Sequence, residues 1–107
     1  MNDLEFCNCL KIDTVVLSEW IEEGWIAPAY VDGRPEFRDA DIARANLILD
    51  LMDAFGVNAA GIDIAMDLID QVHGLRAILR DLMTAIEHQD REIQTDILRE
   101  LDRIASS

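Results

Sequence analysis

The side chains that could carry chemistry are two histidines, His73 and His88, two cysteines, Cys7 and Cys9, and twenty-two carboxylates. Catalysis needs such groups to converge, and along this chain they are scattered. No Gly-rich phosphate loop and no nucleophile elbow occurs. Cys7 and Cys9 have one residue between them, whereas structural zinc sites space their cysteines by two to four. The spacing favours a different reading. Cys7, flanked by Phe6 and Leu10, is expected to be a small buried hydrophobe of the first helix, with Cys9 nearer the surface and both thiols reduced. Neither an enzyme, a cofactor nor a metal centre is expected.

The carboxylates are more informative. At about 100° per residue, Asp63, Asp67, Asp70 and Asp81 fall within roughly a 60° arc of one helix face. Gly74 and Ala77 lie on that face and leave room for the close approach of another helix. Arg76, Arg80 and His73 occupy a different flank. Such a stripe is either a solvated face or a docking surface for a basic helix.

These residues need elements to hold them. Gly and Pro cluster between Gly24 and Pro35 and divide the chain. Before the cluster, Leu4 to Leu10 reads as a short helix begun by Asn2 or Asp3. Asp13-Thr14 caps a second helix through Val15-Val16-Leu17-Ser18-Glu19-Trp20-Ile21, so the pair has helix-turn-helix geometry. Gly24 ends the second helix. Trp25 to Val31 then reads as extended, turning at Asp32-Gly33 into Pro35 to Arg38, a β-hairpin wing with a type I′ turn. Trp20, Trp25, Tyr30 and Phe37 are expected to anchor that wing to the core.

A third helix is expected from an N-cap at Asp39, with Ile42, Ala45, Leu49 and Met52 or Asp53 recurring at helical spacing, to a stop at Phe55-Gly56. Asn58 caps the next helix, where Leu68, Val72, Leu75, Leu79, Leu82 and Ile86 form a heptad seam. Past Ile86 the polar run Glu87 to Glu92 interrupts the seam, and Ile93, Ile97, Leu101 and Ile104 resume it out of register. The lack of Gly or Pro after Gly74 favours a helix with at most a short break. The seam either packs within the chain, the default expectation, or forms a homodimer through Leu68 to Ile86. Fold class is therefore mainly α: a winged helix-turn-helix with a small β-hairpin wing, followed by long helices. One domain is expected over residues 1–107, with the helix-turn-helix, wing and third helix in 1–56 and the long helix and its helical extension in 57–107.

Composition narrows the function. The chain has 107 residues, a net charge of −13 and 50% hydrophobic residues, enough for one modest core. Residues 1–55 hold twelve acidic and four basic side chains, and residues 56–107 ten and five. Both halves favour basic partners and repel phosphate, which argues against nucleic-acid binding. Met1 to Phe6 carry neither a basic stretch nor an apolar run, and no stretch approaches a membrane span. A cytoplasmic location is the expectation.

Three groups of motifs, in order along the chain, carry a family resemblance. They are Glu5-Phe6-Cys7; Ile21-Glu22-Glu23-Gly24-Trp25-Ile26-Ala27-Pro28; and a wing closing at Phe37 before Asp39-Ala40-Asp41. Together they resemble the MerR-like winged helix-turn-helix. Phe55-Gly56-Val57-Asn58, followed by Gly61-Ile62-Asp63-Ile64-Ala65-Met66-Asp67-Leu68-Ile69-Asp70, is similar to the chaperone modulatory CbpM family within that group. The resemblance spans about residues 4–86. It implies a non-enzymatic protein that binds the J-domain of a CbpA/DnaJ-type co-chaperone and inhibits its engagement of Hsp70 (DnaK). J-domains of that type carry a basic second helix, to which an acidic modulator is complementary. Geometry and this analogy together point to Asp63, Asp67 and Asp70 as docking residues, with Ile64 and Leu68 as apolar support. The alternative is a dimeric MerR-like DNA-binding transcriptional regulator. Against it, the second helix presents Ser18-Glu19-Trp20 and then Glu22 and Glu23, where a DNA reader needs cations.

Overall fold

The computed structural model describes residues 1–106, which form five helices and one two-stranded antiparallel sheet. The helices are α1 (Asp3–Leu10), α2 (Thr14–Glu22), α3 (Asp39–Asp53), α4 (Ala59–Glu87) and α5 (Arg91–Ala105); the strands are β1 (Ala29–Val31) and β2 (Arg34–Glu36). The chain divides into two compact units, Met1–Leu68 and the residues from Ile69 onward, with the boundary inside α4.

Local chemistry sets the boundaries of the first unit. Asn2 caps α1 reciprocally: Glu5 N–H donates to Asn2 Oδ1 at 2.9 Å, and Asn2 N–H donates to Glu5 Oε1 at 3.2 Å. Asp13 is the N-cap residue of α2, although its side chain makes no capping bond. Gly24 stops the chain after α2 at φ +79°, where the Trp25 N–H donates back to Trp20 O at 2.9 Å. The hairpin pairs Tyr30 with Pro35, and both turn residues have positive φ, Asp32 at 52° and Gly33 at 76°. That is the type I′ turn the sequence called for. The strands are shorter than expected: Trp25, Ile26 and Pro28 are buried without a strand partner and lie outside β1. Met1 extends the wing in their place: Phe37 N–H donates to Met1 O at 2.8 Å and the Met1 ammonium to Phe37 O at 2.9 Å.

The start of α3 lies one residue earlier than the sequence implied. Arg38 is the N-cap, and its N–H donates to Asp41 Oδ2 at 2.9 Å, so Asp39 is the first helical residue. On its inner face Ala45 and Ile48 are fully buried while Ile42, Leu49 and Met52 are half-buried. The sequence pattern omits Ile48, one position before Leu49 on the same face. Asn58 caps α4 as expected, its Oδ1 accepting from Gly61 N–H at 2.9 Å. A Cβ on Gly61 would lie 2.5 Å from Val57 Cγ1, so glycine is what lets the chain before the helix fold so closely onto its first turn.

The core of this unit comprises Phe6, Cys7 and Leu10 of α1, Leu17 and Trp20 of α2, Trp25, Ile26 and Phe37 around the wing, Ala45 and Ile48 of α3, and Ile62 and Met66 of α4. At its centre the Phe6 and Phe37 rings stack with centroids 4.2 Å apart. Three of the four aromatic residues expected to anchor the wing are buried. Tyr30 is the exception at 63% exposed, because a two-stranded hairpin has one face with nothing to cover it.

In the second unit α4 runs to Glu87, and a three-residue break at 88–90 separates it from α5. The short break agrees with the sequence reading. Gln94 holds it closed, donating from Nε2 to Gln89 O at 2.8 Å and to Glu87 O at 3.2 Å. Within this unit the seam is not covered by α5, contrary to that part of the default expectation. Val72, Leu75, Leu79 and Leu82 are 45–60% exposed, and α5 contains no buried residue. A three-residue break constrains where α5 starts, but it does not compel the apolar stripes of two helices to meet.

Candidate functional site

The exposed surface of α2 is where a helix-turn-helix protein meets its target, and here it is acidic. Leu17 and Trp20 turn inward, while Thr14, Val15, Ser18, Glu19, Glu22 and Glu23 face solvent. The helix contains no lysine or arginine. The whole first unit holds fourteen acidic side chains against four basic ones. Of those four, Arg44 is turned inward, its Nε–H donating to Trp25 O. Only Lys11, Arg34 and Arg38 remain exposed, too few to offset the carboxylates beside them.

The docking residues expected on α4 divide into distinct roles. Asp63 is tied into the fold: the buried Trp25 indole donates from Nε1 to Asp63 Oδ1 at 3.2 Å. The spacing of carboxylates could not reveal this, since the donor lies thirty-eight positions away in sequence. Asp67 is exposed and also engaged within the chain. Ile64 and Leu68, one helical turn apart, are 63% and 54% exposed, which leaves two apolar side chains open beside Asp67. Asp70, at the start of the second unit, is likewise exposed and engaged. The exposed apolar residues Leu4, Val15, Tyr30 and Val31 were not singled out by the sequence as surface. For Val15 the signal was present in the helical period, which sets it off the inward row of Leu17 and Trp20.

The cysteines are placed as expected, Cys7 buried and Cys9 exposed. Burial pushes the Cys7 thiol above its ordinary range, and the nearby Asp3 and Asp13 carboxylates push in the same direction. Cys7 is therefore a protonated core side chain, without nucleophilic character at neutral pH. No group of three or more His, Cys, Asp or Glu among the described residues is arranged to hold a metal ion. No helix among them is long and apolar enough to cross a membrane.

Compared with known families, residues 3–84 match the profile described as MerR HTH family regulatory protein. The chain belongs to that family. The match takes in the helix-turn-helix, the wing, α3 and nearly all of α4, and leaves α5 outside. No curated protein and no solved structure matches the chain. For this MerR-type chain, family membership explains the short helix pair, the hairpin and the long fourth helix. The acidic α2 is a property of its own sequence.

Proposed function

We propose that this MerR-type protein acts on a protein rather than on DNA, as a non-enzymatic chaperone modulator. It binds the J-domain of a CbpA/DnaJ-type co-chaperone and so blocks access of Hsp70. The observation that carries the reading is the sign of charge on α2 and throughout the first unit. A DNA backbone carries one negative charge about every 1.7 Å of helix axis, and each phosphate contact requires a cation. Glu19, Glu22 and Glu23 on the exposed side of α2 supply the opposite. The same charges attract a basic helix, raise its encounter rate and orient it.

Within that reading the motifs from Phe55 to Asp70 select the J-domain as the basic partner, by their resemblance to the CbpM family. Asp67 and Asp70 supply charge from α4, and Ile64 and Leu68 supply apolar contact. Asp63 has the further task of holding Trp25. Titration calorimetry of the chain with an isolated J-domain of that type, at low and high salt, tests the proposal. Saturable binding that weakens as salt rises is expected, with further weakening in Asp67→Lys and in Asp70→Lys at unchanged circular dichroism. Absence of binding at both salt concentrations overturns it. Retardation of DNA that disappears with added salt would favour the transcriptional regulator instead.

A further inference from the structure

The first unit leaves an apolar row uncovered on α3, apart from anything on α4. A surface helix ordinarily sets polar residues opposite its buried row. In α3 the inner row is Ala45, Ile48, Leu49 and Met52, and at about 100° per residue a second apolar row, Ala43, Leu47 and Leu51, lies roughly 150° around the helix from it. Phe55, in the turn that follows, continues the second row. Leu47 is 38% exposed, Leu51 is half-buried, and Phe55, at 76%, is the most exposed large apolar side chain of the described residues.

The turn that carries the Phe55 ring is closed. Gly56 reverses the chain at φ +65°, and Val57 N–H donates to Leu51 O at 2.9 Å. The ring therefore stands at a fixed place at the end of the row. Leu47, Leu51 and Phe55 recur every four residues over about 12 Å, the spacing at which one helix offers successive side chains to another laid along it.

The borders of the row decide what can lie on it. Asp39, Asn46, Asp50 and Asp53, all exposed, run along one side. The single cation of α3, Arg44, is turned inward to Trp25 O. The first unit as a whole holds fourteen acidic side chains and four basic ones. A second copy would bring two such acidic surfaces face to face, and the phosphates of a nucleic acid or an anionic lipid are repelled in the same way. A basic helix is attracted, and its apolar side supplies the cover that Leu47, Leu51 and Phe55 lack.

We propose that the outer face of α3, ending at Phe55, seats a basic amphipathic helix of a partner protein, with Phe55 as the apolar anchor and Asp50 and Asp53 as the charged border. This deepens the proposed function: it rests on that reading's premise of a basic helical partner, and it does not require the helix to come from a J-domain.

The probe is a synthetic helix-forming peptide of about fourteen residues, with Leu at every fourth position and Lys along one side. A scrambled peptide of the same composition measures the attraction of charge alone. Calorimetry with the full chain is expected to show the ordered peptide binding about tenfold more tightly or better. Phe55→Ser, and Phe55→Ser with Leu47→Ser, are expected to remove most of that preference at unchanged circular dichroism. Tyr30→Ser, which alters an exposed side chain elsewhere, retains it. Amide NMR shifts on adding the ordered peptide should cluster between Ala43 and Phe55. Equal affinity for the two peptides overturns the proposal, as does a preference that survives the double substitution or shifts centred on Ile64 and Leu68. A native mass that falls in Phe55→Ser assigns the face to a second copy and overturns it too. Peptide binding at α3 with no binding of a J-domain leaves this inference standing and sinks the J-domain reading; J-domain binding with the peptide mapped elsewhere does the reverse.

Discussion

Replacing Asp63 by Ala removes the acceptor of the Trp25 indole N–H, and the geometry fixes what this should cost. The donor is 4% exposed and the bond is 3.2 Å long, to a carboxylate. A hydrogen bond to a charged group contributes about 1.5–3 kcal/mol, and a buried donor left unpaired costs about 1–3 kcal/mol. Asp63→Ala is therefore expected to destabilise the first unit by about 2 kcal/mol. Asp63→Asn keeps an acceptor without the charge and should cost about half as much. Trp25→Phe removes the donor instead and leaves Asp63 free to hydrate, so the double variant Trp25→Phe with Asp63→Ala should show a coupling of about 1 kcal/mol. Urea unfolding followed by fluorescence measures this cleanly, because both tryptophans, Trp20 and Trp25, lie before residue 69 and report on that unit alone. In Trp25→Phe backgrounds Trp20 remains as the reporter. With a slope of about 1 kcal/mol per molar urea, Asp63→Ala should lower the midpoint by about 2 M. A midpoint within 0.3 M of wild type, on the order of measurement error for such transitions, or a coupling of zero, refutes the assignment of Asp63 as a structural acceptor.

Other expectations follow from the same geometry. Phe6→Ala removes half of the central stack and leaves a cavity between α1 and Phe37, so a loss of about 3–5 kcal/mol is expected by urea unfolding. A thiol reagent such as Ellman's should titrate Cys9 at once and Cys7 only with unfolding, which stopped-flow absorbance with and without urea distinguishes. Cys7 also predicts an alkaline slope. Its folded-state pKa is raised, so the stability of the neutral thiol is fully present below the unfolded value of about 8.5 and is lost as pH climbs through the folded value. Cys7→Ala should flatten that slope in unfolding measured above pH 8.5, about the unfolded value. Gly33→Val places a β-branched residue at φ +76° in the hairpin turn and should lower the thermal midpoint by several degrees, on the order of a 1–2 kcal/mol loss.

The parts of the fold that were legible in the sequence are those settled by short-range chemistry. Asn2 with Glu5, Asn58 with Gly61, and the stops at Gly24 and Gly56 each involve partners within a few positions, so the residue types alone place the helix ends. Asp32-Gly33 fixed the turn type for the same reason, as few residue pairs accept positive φ twice in succession. The one-residue shift at α3 arose because Asp41 can reach back to the Arg38 N–H, an alternative that competes with Asp39 as a cap. Tyr30 was misjudged because aromatic content says that a residue gains by burial, without saying that a covering surface exists.

The candidate site shows where such reading stops. Helical periodicity assigned Asp63 and Asp67 to one acidic arc, and on that basis they are equivalent. The fold separates them through Trp25, a contact thirty-eight residues distant in sequence that no local rule anticipates. The seam has the converse property. Its period identified which side chains share a face, and every residue from Val72 to Leu82 on that row is indeed on one face of α4. What covers a face is decided by a second body, and periodicity is silent about whether that body is another part of the chain or another molecule. Within the segment from Ile69 onward the apolar rows of α4 and α5 both stay exposed, so α5 is not the body that covers the seam.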